Sequence, residues 1–308
     1  MSFPDHWGLQ FTKLIHSKAE GPTDPKNNQL SPNFTVVVTG AGKGLGYGIA
    51  VAYVKAGASR IVISSRTKAD LDKLQDELRS SNPKADILAQ TCDTMKDEDV
   101  KKLADATRAK FGRLDVVVAN AGIISKYIKD GNGKKKLPVG IVEDTDFDRV
   151  IQTNFMGSYR VAKHFVPQLL ATKDGPQAYI CITSIAGHCT DSSLTPIAYS
   201  LSKTAINRMV ENMHNDHQAD GLQAFSVHPG AVLTPQTELH HTTQLGSAWT
   251  DLLVDDVGLC GGFLTWLTKE RRGWLSGRYL SSNWDVDELA ARKDEIVEGD
   301  KLTFKMVV

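Results

Sequence analysis

From Phe34 onward, short apolar runs alternate with longer segments whose apolar residues recur at helical spacing. Residues 36–38 are three consecutive valines, a β-branched run typical of a strand buried on both faces. The segment 45–56 then places its apolar residues on one helical stripe, which Gly57 ends. Further strand-like runs cover 60–64, 87–91, 116–118, 178–183, 222–227 and 278–280. Strands separated by helical segments of this length predict right-handed βαβ units, and therefore an α/β fold with a doubly wound, parallel, seven-stranded sheet of Rossmann type.

Residues 1–34 do not share this alternation. They contain four prolines and one short mixed stretch from Trp7 to Ile15, which is typical of an arm that lies on a domain. The alternative interpretation is an oligomer contact through the apolar residues of the arm, which are Trp7, Leu9, Phe11 and Leu14. We therefore predict an N-terminal arm over 1–34 and a single Rossmann-type domain over 35–308 that includes a C-terminal tail.

The composition excludes several classes of partner. Thirty-six basic residues balance 36 acidic ones, so the chain lacks the basic excess needed to engage nucleic acid or a charged membrane surface. No apolar run approaches the ~18 residues of a membrane span, and the N-terminus has no apolar signal core, so we expect a cytoplasmic protein.

The cysteines form no metal or redox motif, and His240-His241 has no further ligand nearby, so we expect no bound metal.

A glycine-rich loop follows the first predicted strand directly. It runs Thr39-Gly40-Ala41-Gly42-Lys43-Gly44-Leu45-Gly46 and leads into a helix. Glycines leave the backbone open to a phosphate, and the free N–H groups at a helix start carry partial positive charge. The spacing T-G-x-x-x-G-x-G differs from the G-x-G-x-x-G fingerprint, yet four alternating glycines are more than an ordinary helix start needs. The loop therefore predicts a dinucleotide site.

This loop is the first of an ordered set of motifs through which residues 34 to about 283 resemble the short-chain dehydrogenase/reductase family. The others are Asn120-Ala121-Gly122 after the fourth strand, Ser184 after the fifth, Tyr199-Ser200-Leu201-Ser202-Lys203, and Pro229-Gly230 followed by Thr234. The stretch from Phe147 to Asn154 resembles the helix that supplies the family's catalytic asparagine. Phe11-Thr12-Lys13 and the C-terminal stretches 276–278, 283–286 and 292–295 resemble a fungal-type subgroup.

The resemblance implies a set of residues that contact a nicotinamide dinucleotide. In this sequence they are Gly40, Lys43, Gly44, Leu45, Gly46, Ser65, Arg66, Asp93, Asn120, Ala121, Gly122, Tyr199, Lys203, Pro229, Gly230, Val232 and Thr234. NAD-specific members place a carboxylate at the end of the second strand, where this chain has Ser65 followed by Arg66. A carboxylate would repel a 2′-phosphate, whereas a guanidinium can bind it through two parallel hydrogen bonds, and Lys43 would point at the same phosphate. NADP(H) is therefore the expected cofactor.

Tyr199 and Lys203 lie one helical turn apart, and this spacing suits acid catalysis. Reduction of a ketone leaves a developing alkoxide that needs a proton, and a free phenol with a pKa of about 10 is a sluggish donor. The positive charge of Lys203 favours the phenolate. The resemblance adds Ser184 as the hydrogen-bond partner of the substrate oxygen, Asn154 as the holder of a relay water, and a contact from Lys203 to the cofactor ribose.

We therefore predict an NADP(H)-dependent carbonyl reductase or alcohol dehydrogenase that acts on a ketone or secondary alcohol of a medium-sized molecule in secondary metabolism. The alternatives are an isomerase or lyase, or a non-catalytic dinucleotide-binding protein, on the same scaffold. The resemblance also implies a homodimer or homotetramer and a mobile lid at about 235–267, with an apolar cover formed by Leu239, Leu245, Trp249, Leu252 and Leu253. The loop that contains His188, Cys189 and Asp191 is expected to line the substrate site.

Overall fold

The computed structural model describes residues 4–238 and 252–306. The strands are β1 (Thr35–Thr39), β2 (Arg60–Ser65), β3 (Asp86–Thr91), β4 (Val116–Ala119), β5 (Ile128–Lys129), β6 (Lys135–Lys136), β7 (Ala178–Ile182), β8 (Gln223–His228) and β9 (Arg278–Ser281). Seven of them form one sheet in the order β3-β2-β1-β4-β7-β8-β9, and every neighbouring pair in it is parallel. The seven-stranded parallel sheet predicted from the apolar runs is confirmed. The antiparallel pair β5–β6 was not predicted, because its two-residue strands carry no periodic signal.

Helices cover both faces of the sheet. They are α1 (Gly44–Lys55), α2 (Lys68–Ser81), α3 (Asp97–Phe111), α4 (Gly140–Glu143), α5 (Phe147–Ala171), α6 (Ile197–His217), α7 (Leu259–Thr268), α8 (Val286–Ala291) and α9 (Lys293–Glu298). Val36 and Val38 pack into the core shared with α1, α2 and α7, while Val37 between them packs into the core shared with α3, α5 and α6. Alternate side chains of one strand thus enter opposite cores, which explains why this strand is continuously apolar.

The strand order reverses between β1 and β4. β1 lies beside β2 on one side and beside β4 on the other, so the chain crosses the sheet after β3. The connections that leave the carboxyl ends of these two strands diverge to opposite faces and open a crevice. The glycine loop follows β1 and Asn120 follows β4, so both motifs lie at this crevice.

The N-terminal arm packs against the C-terminal part of its own chain. The indole Nε1 of Trp284 donates to the Gly8 carbonyl at 2.9 Å, and Ile15 forms an antiparallel backbone bridge with Trp284. The ring of Phe11 lies 5.1 Å from that of Trp284, and the guanidinium of Arg292 lies 3.7 Å above the Phe11 ring. These contacts hold residues 8–15 against the segment 284–292 of the same chain.

Other expectations concern membranes, metals and cysteines. Within the described ranges, no helix is both long and apolar enough to span a membrane. Residues 4–238 and 252–306 contain no group of three or more His, Cys, Asp or Glu side chains suited to a metal ion, and His240-His241 lies outside these ranges. All four cysteines are free and buried.

Candidate active site

The glycine loop closes tightly on itself and on the end of β4. A Cβ added to Gly46 would lie 2.4 Å from the Gly40 carbonyl oxygen and 2.5 Å from Asn120 Nδ2, so only glycine fits there. Gly40 and Gly44 adopt left-handed φ values of 66° and 57°, which other residues rarely adopt. The loop thereby brings exposed backbone to the start of α1, where the helix N-terminus attracts negative charge.

Asn120 joins the ends of β4 and β1. Its side-chain Nδ2 donates to the Thr39 carbonyl at 2.9 Å, and its backbone N–H donates to the Thr39 hydroxyl at 3.1 Å. The N–H of Ala121 donates to the same hydroxyl at 3.2 Å. These bonds hold the two strand ends together beside the crevice.

Ser184, Tyr199 and Lys203 come together on one wall of the crevice. Ser184 follows β7 and caps the turn Ile185–His188, whose Ala186 N–H donates to the serine hydroxyl at 3.1 Å. Tyr199 and Lys203 are on α6, and Lys203 Nζ lies 5.4 Å from the centre of the Tyr199 ring. Burial raises the pKa of Tyr199, while the neighbouring Ser184 hydroxyl opposes this shift.

Lys203 is 5% exposed, and its Nζ donates to the Ile182 carbonyl at 2.8 Å. Burial lowers the pKa of Lys203 to about 8. A Cβ on Gly122 would lie 3.6 Å from Lys203 Nζ and 3.4 Å from Asn154 Oδ1, so these two groups approach the same small space.

Asn154 is fully buried behind this wall. Its Oδ1 accepts from the Ile123 N–H at 2.8 Å, and its Nδ2 donates to the Ile123 carbonyl at 2.9 Å and to Ser202 Oγ at 3.0 Å. The side chain thus fixes the strand-end segment after Gly122 against α6. Ser202 also donates to the Tyr199 carbonyl, which connects Asn154 to the backbone of the tyrosine.

At the far end of the crevice, Ser65 ends β2 and the exposed Arg66 follows it. Lys43 Nζ forms an ion pair with Asp70 Oδ2 at 3.1 Å. The sequence did not indicate this carboxylate, because Asp70 lies in the first turn of α2 where an acidic residue is ordinary. Asp93 follows β3 and its Oδ1 accepts from the Met95 N–H at 3.1 Å, so the side chain stabilises its own turn.

The segment after β8 is held by a half-buried carboxylate that sequence reasoning missed. Asp255 accepts from the Ala231 N–H at 2.6 Å and from Asn283 Nδ2 at 3.0 Å, and it pairs with Val232 through a parallel backbone bridge. Burial raises the pKa of Asp255. No motif could reveal this residue, because its partners are 24 and 28 positions away.

These groups border one cavity of about 910 Å³. Every predicted cofactor and catalytic residue lines it except Asn154, which lies behind the wall. The remaining lining is mainly apolar and includes Leu137, Leu194, Leu252 and Leu253 together with the arm residues Trp7, Leu9, Gln10 and Ile15.

Two sequence-based expectations about the substrate end need correction or narrowing. Of His188, Cys189 and Asp191, only Cys189 lines the cavity. The His188 ring instead packs between Phe304, at 4.8 Å, and Tyr279, at 4.5 Å. Of the expected lid residues, Leu239, Leu245 and Trp249 lie outside the described ranges, whereas Leu252 and Leu253 border the cavity. Positions 259–267 belong to the buried helix α7, which packs against α1.

Comparison with known proteins agrees with this arrangement. Residues 34–244 match the family profile described as short chain dehydrogenase, and the chain belongs to this family of oxidoreductases. It is 39% identical to the short chain dehydrogenase pgmD of Aspergillus terreus over 99% of this chain and 96% of that protein. It is also 34% identical to the short chain dehydrogenase mpl6 of Monascus purpureus over the full length of both. These relatives extend through the arm and the tail, and the resemblance to a fungal-type subgroup is confirmed.

Solved structures share the fold. A short-chain type dehydrogenase/reductase from Mycobacterium ulcerans superposes with a TM-score of 0.70 at 23% identity, over 82% of this chain and 89% of that one. A 7α-hydroxysteroid dehydrogenase complexed with NADH and 7-oxo glycochenodeoxycholic acid gives a TM-score of 0.69 at 24% identity, over 83% and 94%. At this level of identity the likeness concerns the fold.

Proposed function

We propose that the protein is an NADP(H)-dependent reductase that delivers a hydride to the ketone of a medium-sized organic substrate, with Tyr199 as the proton donor. The observation that carries the proposal is the meeting of Ser184, Tyr199 and Lys203 on the wall of a cavity that also contains the glycine loop. Mutually supporting roles in one concave site are stronger evidence than any single residue.

The crevice suits a dinucleotide at its glycine-loop end. A Cβ at Gly42 would lie 2.9 Å from Ser65 Oγ, so glycine keeps the loop close to the end of β2. The loop also presents the start of α1, where backbone N–H groups can bind phosphate. When bound, the nicotinamide supplies the hydride.

The residues of the chain hold and protonate the substrate oxygen. The Ser184 hydroxyl and the Tyr199 phenol donate to it, and both stabilise the charge that develops there. Tyr199 then gives up its proton, while the ammonium of Lys203, 5.4 Å from the ring centre, favours the resulting phenolate. Asn154 positions the segment after Gly122 and fixes the backbone of α6 through Ser202, so it supports the wall on which these groups lie.

The preference for NADP(H) rests on Ser65, Arg66 and Lys43, which border the same end of the cavity. A guanidinium and an ammonium together favour a 2′-phosphate. Asp70 opposes this preference, because its carboxylate already pairs with Lys43 at 3.1 Å. Arg66 therefore carries the larger share of the expected selectivity.

The proposal also covers the oligomeric state of the protein, its location in the cell and its domain organisation. Phe147 and Tyr159 on α5 and Leu201 on α6 are large apolar residues that are more than a third exposed, which supports a homodimer or homotetramer through these helices. We assign the protein to the cytoplasm and to secondary metabolism. We propose that the chain comprises an arm over 1–34 and a single domain over 35–308. Positions 259–267 belong to the buried helix α7 and are therefore not part of the expected lid, of which residues 239–251 lie outside the described ranges.

The deciding experiment measures NADPH absorbance while the purified protein is incubated with each member of a panel of ketones and quinones. We expect consumption of NADPH in proportion to alcohol product. Product formation with unchanged NADPH would instead indicate an isomerase or lyase, and NADPH binding without any product would indicate a non-catalytic protein.

A further inference from the structure

The N-terminal arm reaches the substrate end of the cavity. Trp7, Leu9 and Ile15 line this space, and they precede the dinucleotide-binding fold in sequence. The short helix Asp5–Trp7 also contacts the turn Ile185–His188, which Ser184 caps. The arm therefore touches the same turn that presents the serine hydroxyl.

The C-terminal segment fixes the arm in this place. The Glu288 carboxylate accepts from the backbone N–H groups of Lys13 at 2.7 Å and Leu14 at 3.2 Å. The backbone N–H of His16 donates to the Asn283 carbonyl at 2.8 Å, and Asn283 Nδ2 donates back to the His16 carbonyl at 2.9 Å. These are directed bonds to the backbone, so they set the position of the arm whatever its side chains are.

The arm residues that line the cavity are mainly apolar, although the exposed Gln10 lines it as well. Ile15 is 41% exposed, and Leu9 is half-buried. Leu137 and Leu194 also line the cavity and supply further apolar surface. Apolar atoms that face a cavity gain free energy when a ligand of matching chemistry covers them.

We propose that Trp7, Leu9 and Ile15 form the substrate-side wall of the active site and select ketones built on an apolar ring system. The proposal rests on the proposed reductase function. It assigns the arm a role in choosing the substrate, whereas the dinucleotide and the reacting oxygen are held by other elements. Leu9 and Ile15 offer aliphatic surface to such a ring, whereas Trp7 lines the cavity with little exposed area because it is 8% exposed.

The test compares two ketones in the enzyme with NADPH, 1-tetralone as the ring ketone and 2-butanone as the small one. Leu9→Ala and Ile15→Ala should each lower kcat/KM for 1-tetralone about tenfold, because removing apolar contacts from a pocket has effects of this order. kcat/KM for 2-butanone and the affinity for NADPH should change less than about twofold. Leu14→Ala is the matched control, since Leu14 lies on the same arm, is 52% exposed and does not line the cavity.

A calorimetric titration of 1-tetralone into the enzyme–NADP⁺ complex tests the wall without turnover. Weaker binding in Leu9→Ala and Ile15→Ala, but not in Leu14→Ala, supports the proposal even if the wild type reduces neither ketone. The panel of ketones and quinones then decides the reductase assignment separately. Equal behaviour of all three variants in both measurements, with the wild type reducing 1-tetralone, would overturn the role of the arm and leave the reductase assignment intact. Failure of the wild type to bind 1-tetralone would also overturn it.

Discussion

Replacement of Arg66 by alanine should weaken the binding of NADPH much more than the binding of NADH. Arg66 is exposed at the end of β2, lines the cavity and forms no ion pair within residues 4–238 and 252–306. Its guanidinium is therefore available to a 2′-phosphate. Loss of a hydrogen bond to a charged group costs about 1.5–3 kcal/mol, so the Kd for NADPH should rise about 10- to 150-fold while that for NADH stays nearly constant.

Replacement of Asp70 by asparagine should change the affinity for NADPH in the opposite direction and raise it. Asp70→Asn removes the carboxylate that pairs with Lys43, which frees the ammonium and removes a negative charge near the expected phosphate. Because the Lys43 side chain is 63% exposed, solvent screens the interaction, and we expect NADPH affinity to rise by about fivefold at most. Asp72→Asn is the control, since Asp72 is on the same helix, pairs with Lys68 and does not line the cavity.

The assay is steady-state kinetics with both cofactors at low and high salt. The change caused by Arg66→Ala should shrink as salt rises, because the attraction at an exposed site is screened. Ser65→Asp combined with Arg66→Ala should invert the preference, because the new carboxylate repels phosphate and accepts the ribose hydroxyls. Equal kcat/KM for NADH and NADPH in the wild type would refute the reasoning about the end of β2.

Three further predictions concern catalysis and assembly. Tyr199→Phe should lower kcat about 10²- to 10⁴-fold with NADPH binding unchanged, and retention of more than roughly a tenth of kcat would exclude Tyr199 as the acid. Because the pKa of Lys203 is lowered to about 8, the ammonium is present below this pH and lost above it, so kcat/KM for reduction should fall as pH rises through about 8. A flat profile between pH 7 and about 9 would contradict this role of Lys203. Light scattering should show a species larger than the 33.7 kDa monomer at micromolar concentration, and a monomer alone would refute assembly through α5 and α6.

The sheet and the dinucleotide crevice could be predicted because their signals are local. A strand buried on both faces is mainly apolar, and the valine runs at 36–38 and 116–118 show this pattern. The glycine loop and the spacing of Tyr199 and Lys203 each lie within one turn or one helix. Residues that are close in space at these two places are also close in sequence, so the sequence alone reveals them.

Much of the substrate end could not be predicted, because its contacts join distant parts of the chain. His188 lies in the expected loop, but Phe304 from the tail stacks on its ring and removes it from the cavity. Asp255 and Asn283 meet only because β8, the segment before α7 and the segment after β9 converge. A single sequence contains no signal for such pairings, since each partner is an ordinary polar residue in its own surroundings.

Some of the residues that line the cavity lie within the family profile and others lie outside it, so family membership alone does not define the substrate. The family profile covers 34–244, and this range contains Ser184, Tyr199, Lys203 and the glycine loop. The cavity, however, is also lined by Trp7, Ile15, Val254 and Asn283, which lie outside that range. Asn283 bonds to Asp255 and to His16, so the arm, the tail and the segment after β8 are held as one unit. Proteins that share the reacting groups can therefore differ in substrate through these outer residues alone. Relatives that align over the arm and the tail, as pgmD and mpl6 do, are the informative ones for choosing substrates to test.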